Sequence, residues 1–306
     1  MNLVTVIGGA NIDINGFSGQ PLIKGDSNPG TIDRCSGGVA RNIAENLARL
    51  KVTVNLISAI GNDAFGKTLL AECNDLGIET RDSVFPKMNT SVYLALMDNR
   101  GEMALALNDM RILEKLNTAH LEKKIGRIQK SKIIVIDSNI SVQAVNFIAA
   151  NCAGQPIFLD PVSITKAEKV KSRIGAFHTI KLNRIEAAAI SGLKIQGKKN
   201  LRRAGEWFVE KGVRRVFITL GGEGVFFYSA EECFFHEAPH ITAVNVTGSG
   251  DAFMAGIVYG SLNGYSNKEI VRFSSAMSGL TAQSRKTVSE KISLTNIKRL
   301  EQNAVH

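Results

Sequence analysis

The strongest constraint on this chain is a repeated alternation of short apolar runs with amphipathic segments. Ile133–Asp137, Ile157–Asp160, Thr179–Leu182 and Arg215–Leu220 are near-continuous apolar runs, and helical spacing fills the stretches between them, around Ala119–Gln129, Val142–Asn151, Arg184–Ile190 and Leu201–Lys211. Strands without a polar face belong to a parallel sheet covered on both sides, with the helices as crossovers. The same rhythm opens the chain, with strands at Leu3–Gly9 and Val52–Ala59 and helices at Ala40–Leu50 and Phe65–Leu76. Short β runs at Gly224–Tyr228 and Cys233–His236 precede helices near Asp251–Leu262, Lys268–Ala282 and Leu294–Gln302. The prediction is an α/β fold with a mostly parallel, doubly wound sheet.

One stretch breaks the rhythm. Ser91–Met97 and Met103–Leu107 read as strands joined by the turn Asp98-Asn99-Arg100-Gly101, and Ile14–Arg34 has no helical period. Together they predict a small β lid over one sheet edge, drawn from about residues 14–34 and 88–110 of a single domain spanning 1–306. Val92, Leu94 and Leu96 give the hairpin an apolar face. That face pairs with a second copy's lid, the expected homodimer, or packs on its own domain.

Composition narrows the function classes. No apolar run approaches the roughly 18 residues of a membrane span, and the N-terminus lacks a basic leader followed by an apolar stretch. Cysteines 35, 73, 152 and 233 form no C-x-x-C pair. A reduced cytoplasmic protein without a membrane partner is expected. The net charge is +9. It gathers in Lys194–Arg215 and in Lys123, Lys124, Arg127, Lys130 and Lys132, which read as solvated helix faces. No aromatic residues interleave with these charges, and no helix-turn-helix or zinc-finger spacing appears, so no nucleic-acid partner is expected.

Five motifs carry candidate chemistry. Asn245-Val246-Thr247-Gly248-Ser249-Gly250-Asp251 runs into a helix. Gly248, Ser249 and Gly250 free backbone N–H groups at a helix N-terminus, an anion hole, and Asp251 stands beside it as a proton acceptor. The bland reading is a capped helix start. Ser36-Gly37-Gly38-Val39-Ala40-Arg41-Asn42 also enters a helix, with Asn42 able to bind a sugar hydroxyl; a plain glycine turn is the alternative. In Gly9-Ala10-Asn11-Ile12-Asp13, Asn11 and Asp13 chelate a diol from one side or form an Asx turn. Asn183 and Glu186, three apart at a helix start, suit water-mediated Mg²⁺ binding or a capping box. Thr219-Leu220-Gly221-Gly222-Glu223-Gly224 admits a nucleotide's phosphates or joins two strands. There is no Rossmann fingerprint, P-loop or nucleophile elbow.

The Gly-Gly-x-x-x-Asn stretch at 37–42, the Asn183-x-x-Glu186 pair and the run 245–251 resemble the ribokinase/PfkB carbohydrate-kinase family, in the family's order along nearly the whole chain. Lys51 departs from that pattern, which usually has Gly or Ser there. The resemblance implies a ribokinase-like three-layer α/β/α fold, mostly parallel, with a small β lid, and ATP with Mg²⁺ as phosphoryl donor. Within the family, Asp26–Gly30, Asp98–Met103 with Asn108-Asp109-Met110, Asp137–Ser141 and Asp160–Ser163 are most similar to members that phosphorylate pseudouridine. Pseudouridine is thus the implied acceptor, with another nucleoside, ribose or fructose as alternatives, and a non-catalytic nucleoside sensor as a different class.

Residue by residue, the resemblance makes Asp251 the base and Gly248, Ser249 and Gly250 the anion hole. Asn11, Asp13, Gly37, Gly38 and Asn42 hold the ribose, and Thr90, Asn108 and Asn139 face the rest of the acceptor. Asn183 and Glu186 organise Mg²⁺ and phosphate; Thr219, Gly221 and Gly224 contact the nucleotide. Many members carry Asp where this chain has Asn245, near a monovalent cation. Asn245 lowers the negative charge there and leaves carbonyls such as that of Thr247 to hold K⁺. The adenine pocket is expected among residues before Thr247 and along Ser274–Ala282.

Overall fold

The computed structural model describes residues 2–303; the extreme ends of the expected 1–306 domain lie outside the described residues. The first part of the chain forms β1 (Leu3–Ile7), β2 (Asn11–Ser18), β3 (Gly30–Gly37), α1 (Val39–Arg49), β4 (Thr53–Ile57), α2 (Ala64–Asp75), β5 (Val92–Met97) and β6 (Met103–Asp109). The middle forms α3 (Thr118–Glu122), α4 (Ile125–Ile128), β7 (Ile133–Asp137), α5 (Val142–Asn151), β8 (Ile157–Asp160), α6 (Ile164–Val170), β9 (Thr179–Asn183) and α7 (Arg184–Ser191). The last part forms α8 (Gly197–Glu210), β10 (Arg215–Thr219), β11 (Val225–Tyr228), β12 (Cys233–His236), α9 (Ser249–Leu262), α10 (Asn267–Ala282) and α11 (Leu294–Asn303).

The main sheet has eight strands in the order β12-β11-β10-β9-β8-β7-β1-β4. The six from β10 to β4 are parallel, and β11 and β12 add an antiparallel edge. Alternation sorts each strand's side chains to opposite faces. Val4, Val6, Val54, Leu56 and Val135 pack with α1, α9 and α10. Ile7, Ile57, Ile134, Ile136, Ile180 and Ile218 pack with α5, α7 and α8 on the other side. Each fully buried aliphatic side chain contributes about 1.5–3 kcal/mol relative to exposure. The predicted three-layer α/β/α arrangement is present. The strand order reverses between β1 and β7, so a crevice opens at their carboxyl ends, the usual ligand position in such sheets.

A second sheet, in the order β3-β2-β5-β6, forms the small lid. Its strands span more than the predicted 14–34, because β2 begins at Asn11 and β3 runs to Gly37. Asp13, Tyr93 and Asn108 lie in register across β2, β5 and β6, and so share one face. The opposite face presents Ile32, Leu105 and Leu107, which are 76 %, 54 % and 61 % exposed. Leu69 and Phe65 of α2 cover only the root of that face, at Ile12 and Ile14.

Three local expectations need correction. The single helix expected at Ala119–Gln129 is two short helices, α3 and α4. Around the break, Lys124 and Arg127 reach Asp82, at 3.5 Å and 3.3 Å, so this part of the basic cluster is paired rather than merely solvated. Helix α6 and the 3-10 turn Lys171–Ala176 occupy a stretch for which no element was expected. Lys51 has φ 63°, the left-handed conformation in which glycine carries no side-chain penalty, which explains the preference for Gly at that helix end.

Candidate active site

The carboxyl ends of β8, β9 and β10 and the start of α9 enclose a cavity of about 670 Å³. Asp160, Lys181, Asn183, Glu186, Ser249 and Asp251 form its polar end. Its other end is walled by Pro239, Ile241, Ala243 and Val246 and by Ser278 and Ala282 of α10.

Gly248 sets the shape of the α9 N-terminus. Its φ is +82°, and a Cβ there would lie 1.9 Å from the Thr287 carbonyl oxygen, so only glycine fits. The turn spends the Ser249 N–H on Val246 O, at 3.2 Å. Among the described residues, the N–H groups of Gly248, Gly250 and Asp251 have no acceptor. The Ser249 hydroxyl is buried and also lacks a partner. Unpaired donors beside a helix N-terminus are an arrangement able to hold an anion.

Asp251 stands in this first turn with 8 % exposure, and its Oδ2 accepts a 2.8 Å hydrogen bond from Asn42 Nδ2. Burial, and then the charge of Asp160, push its carboxyl up to about 7, against the pull of Lys181 and Asn42. A group of that affinity can accept a hydroxyl proton near neutral pH. Lys181 Nζ lies 2.6 Å from Asp160 Oδ2, both buried. Burial opposes the charge on Lys181, but Asp160, Glu186 and Asp251 outweigh it and raise its proton affinity.

The glycine turn before α1 plays a different part. Two of its amides are already occupied: Ala40 N–H donates to Asp137 Oδ2 at 2.9 Å and Arg41 N–H to Gly9 O at 3.2 Å. Asp137, fully buried, also accepts from Gly9 N–H and Asn139 N–H, both at 2.8 Å. One carboxylate thus joins β1, α1 and β7 around the crevice. Asn11 Nδ2 donates to Asp13 Oδ1 at 2.6 Å on one face of β2, and a Cβ on Gly37 would lie 2.2 Å from Asp13 Oδ2. Burial raises the Asp13 carboxyl, which Asn11 and Arg41 partly offset.

A model of the pfkB carbohydrate-kinase family matches residues 1–293. This chain is a pfkB family carbohydrate kinase. It is 40 % identical over 303 residues to the pseudouridine kinase of Escherichia coli K12, covering 98 % of this chain and 97 % of that one. A carbohydrate kinase from Agrobacterium tumefaciens superposes with TM-score 0.86 at 25 % identity, over 99 % of this chain and 98 % of that one. The ribokinase of Thermotoga maritima shares the fold with TM-score 0.88 at 19 % identity, over 99 % of this chain and all of the other. Kinases of this family use ATP with Mg²⁺.

In the kinase, Asn183 and Glu186 form the capping box: Asn183 Oδ1 accepts from Glu186 N–H and Glu186 Oε2 from Asn183 N–H, each at 2.8 Å. Both also line the cavity, and the second Glu186 oxygen has no hydrogen bond among the described residues. No three His, Cys, Asp or Glu side chains form a ready cation cage among the described residues. The hard oxygen donors Glu186 and Asp160 fit a Mg²⁺ ion that keeps waters and binds phosphate oxygens. Thr219, Gly221 and Gly224 line the cavity where a 3-10 turn joins β10 to β11.

Other predicted residues sit elsewhere or are engaged. The Thr90 hydroxyl donates to Asp63 Oδ1 at 2.6 Å and accepts from Gly61 N–H at 3.1 Å, so it braces the turn before α2. Asn108 is exposed on the polar face of the lid. Asn139 Oδ1 meets the Lys166 ammonium beside the crevice. Asn245 Oδ1 accepts from Thr247 N–H and its Nδ2 donates to Arg285 O, which closes the loop before the anion site.

Sequence reasoning had Asp137 and Asp160 only within stretches tied to the acceptor, without a role, and gave no role to Lys166 or Lys181. The signal available was the placement of Asp137 and Asp160 at the carboxyl ends of apolar strands. Val162, beside Asp160, offers another mark of a constrained site: its φ of 66° is rare for a β-branched residue.

Proposed function

We propose that this kinase transfers the γ-phosphoryl group of ATP to the ribose 5′-hydroxyl of pseudouridine, yielding pseudouridine 5′-phosphate and ADP, and that it works in the cytoplasm. The observation that carries the acceptor is the 40 % identity to a pseudouridine kinase across nearly all of both chains. The neutral amides of Asn108 and Asn139 support it, since an uncharged uracil ring needs paired donors and acceptors.

In this reading Asp251 takes the proton of the 5′-hydroxyl as the new O–P bond forms, and the bond from the γ-phosphorus to the bridging oxygen breaks, its electron pair leaving with ADP. Asn42 holds Asp251 towards the sugar, and Asn11, Asp13, Gly37 and Gly38 seat the ribose. The free N–H groups of Gly248 and Gly250, the Ser249 hydroxyl and Lys181 face the charge that gathers on the transferred group. Mg²⁺, carried with ATP near Glu186 and Asn183, supplies charge neutralisation on the phosphates. The adenine lies between Ile241, Ala243 and the Ser278–Ala282 side of α10. With Asn245 turned onto Arg285 O, K⁺ would rest on carbonyls such as that of Thr247; turnover in K⁺ against choline salts measures this.

The exposed apolar face of the lid is proposed to pair two copies of the chain. No nucleic-acid partner is part of this reading.

A panel of pseudouridine, uridine, adenosine, inosine, ribose and fructose with MgATP, read by ADP release, tests the acceptor. Pseudouridine is expected to give the highest kcat/KM. A higher value for uridine or ribose overturns the assignment.

A further inference from the structure

A second cavity, of about 970 Å³, lies at the amino ends of β7, β8, β9 and β10. This is the opposite edge of the sheet from Asp251. Lys132, Arg214 and Arg215 line it, with Glu231 as the one carboxylate on its wall among the described residues.

Arg215 is the unusual group here. Its Nε donates to Thr179 Oγ1 at 3.1 Å and its Nη2 to Ser261 Oγ at 2.8 Å. Its guanidinium carbon lies 5.4 Å from the centre of the Phe158 ring. These neutral partners fix the fork but do not balance its charge, and three of its five N–H groups have no acceptor among the described residues. Among the described residues no carboxylate pairs with it. Burial lowers its proton affinity to about 10, the direction expected of a cation without a counter-ion. A largely desolvated charge is costly unless paired, and here the fork is already oriented.

We propose that this cavity binds a phosphomonoester, its dianion held by Arg215 and Arg214 and its organic part lying against Val209, Val213 and Tyr265. Planar guanidinium groups match phosphate oxygens bidentately. The cavity far exceeds the room a bare phosphate needs, and its apolar wall suits an attached organic group. The site is separate from that of ATP. Helix α9 carries Asp251 in its first turn and Ser261 in its last, roughly 15 Å apart at 1.5 Å per residue.

Isothermal titration calorimetry on the full chain tests this, with the ATP site saturated by adenylyl imidodiphosphate and Mg²⁺ at constant ionic strength. The probes are uridine 5′-monophosphate and inorganic phosphate. One further equivalent of uridine 5′-monophosphate per chain is expected, bound more tightly than phosphate. Arg215→Gln and Arg214→Ala are expected to weaken it at least tenfold while affinity for the ATP analogue is unchanged. Arg214 is exposed, so its variant keeps the test intact should Arg215→Gln fail to fold. Binding of neither probe, binding unaltered in the soluble variants, or phosphate binding as tightly as the monoester overturns the assignment.

Discussion

Asn42 Nδ2 donates to Asp251 Oδ2 across 2.8 Å, linking residues 209 apart in sequence. The bond joins the first turn of α1 to the first turn of α9. It places a carboxylate with a proton affinity near neutrality between the two glycine turns.

Replacing Asp251 by Asn removes the proton acceptor and keeps the shape. Turnover is expected to fall by about 10²–10⁴-fold, with nucleoside affinity retained by calorimetry. Near-wild-type turnover would exclude Asp251 as the base. The same variant should be more stable than wild type at alkaline pH. Asp251 goes from an ordinary value of 3.8 to about 7 on folding. The folded state therefore binds the proton more tightly, and folding loses stability as pH rises between these values. The variant escapes that loss, by up to about 4 kcal/mol at 1.36 kcal/mol per pKa unit. Urea denaturation at pH 4 and pH 8 should show the difference growing with pH.

Asn42→Ala removes a hydrogen bond that favours the charged carboxylate. The acidic limb of the kcat/KM profile, expected near pH 7, should move to higher pH. At pH 9 much of the lost activity should return. A uniform loss across pH would mean that Asn42 acts only in packing or in substrate binding.

Asp137 accepts three backbone N–H groups in the interior. Asp137→Ala leaves those donors unpaired and should cost about 2–5 kcal/mol. The urea midpoint should fall with little change in the slope of the transition. An unchanged midpoint would show that water replaces the carboxylate freely.

Leu105 and Leu107 stand out on the lid's outer face. Glu at both positions would set like charges across a lid–lid contact. Sedimentation is expected to give a dimer for wild type and a monomer for the double variant. A wild-type monomer at micromolar concentration would refute pairing through the lid.

Much of the architecture was legible because its signals are local. The apolar runs Ile133–Asp137 and Ile157–Asp160 are strands with those same limits. The run 245–251 marked a helix start because Gly-Ser-Gly and an adjacent Asp act within one turn. Asn183 and Glu186 were visible as a pair for the same reason, three residues apart on a helix. Helix α6 escaped because its short span carries little periodic signal. The break between α3 and α4 escaped because it depends on the packing and ion pairs of the neighbouring Asp82 region.

The amino-acid order alone was enough for the alternation of strands and helices, the glycine turns and the identity of the acid beside the anion hole. These depend on periodicity and on hydrogen bonds within one turn. Only the tertiary structure decided that Asp137 takes the Ala40 amide at the start of α1, while among the described residues the Gly248, Gly250 and Asp251 amides at the start of α9 have no acceptor. It also decided that Lys181 meets Asp160 and that Asp251 is buried enough to hold its proton near pH 7. Such properties belong to charges and dipoles brought together from distant strands in a medium that screens them poorly. Their strength is set by distance and burial, which the order of residues does not state.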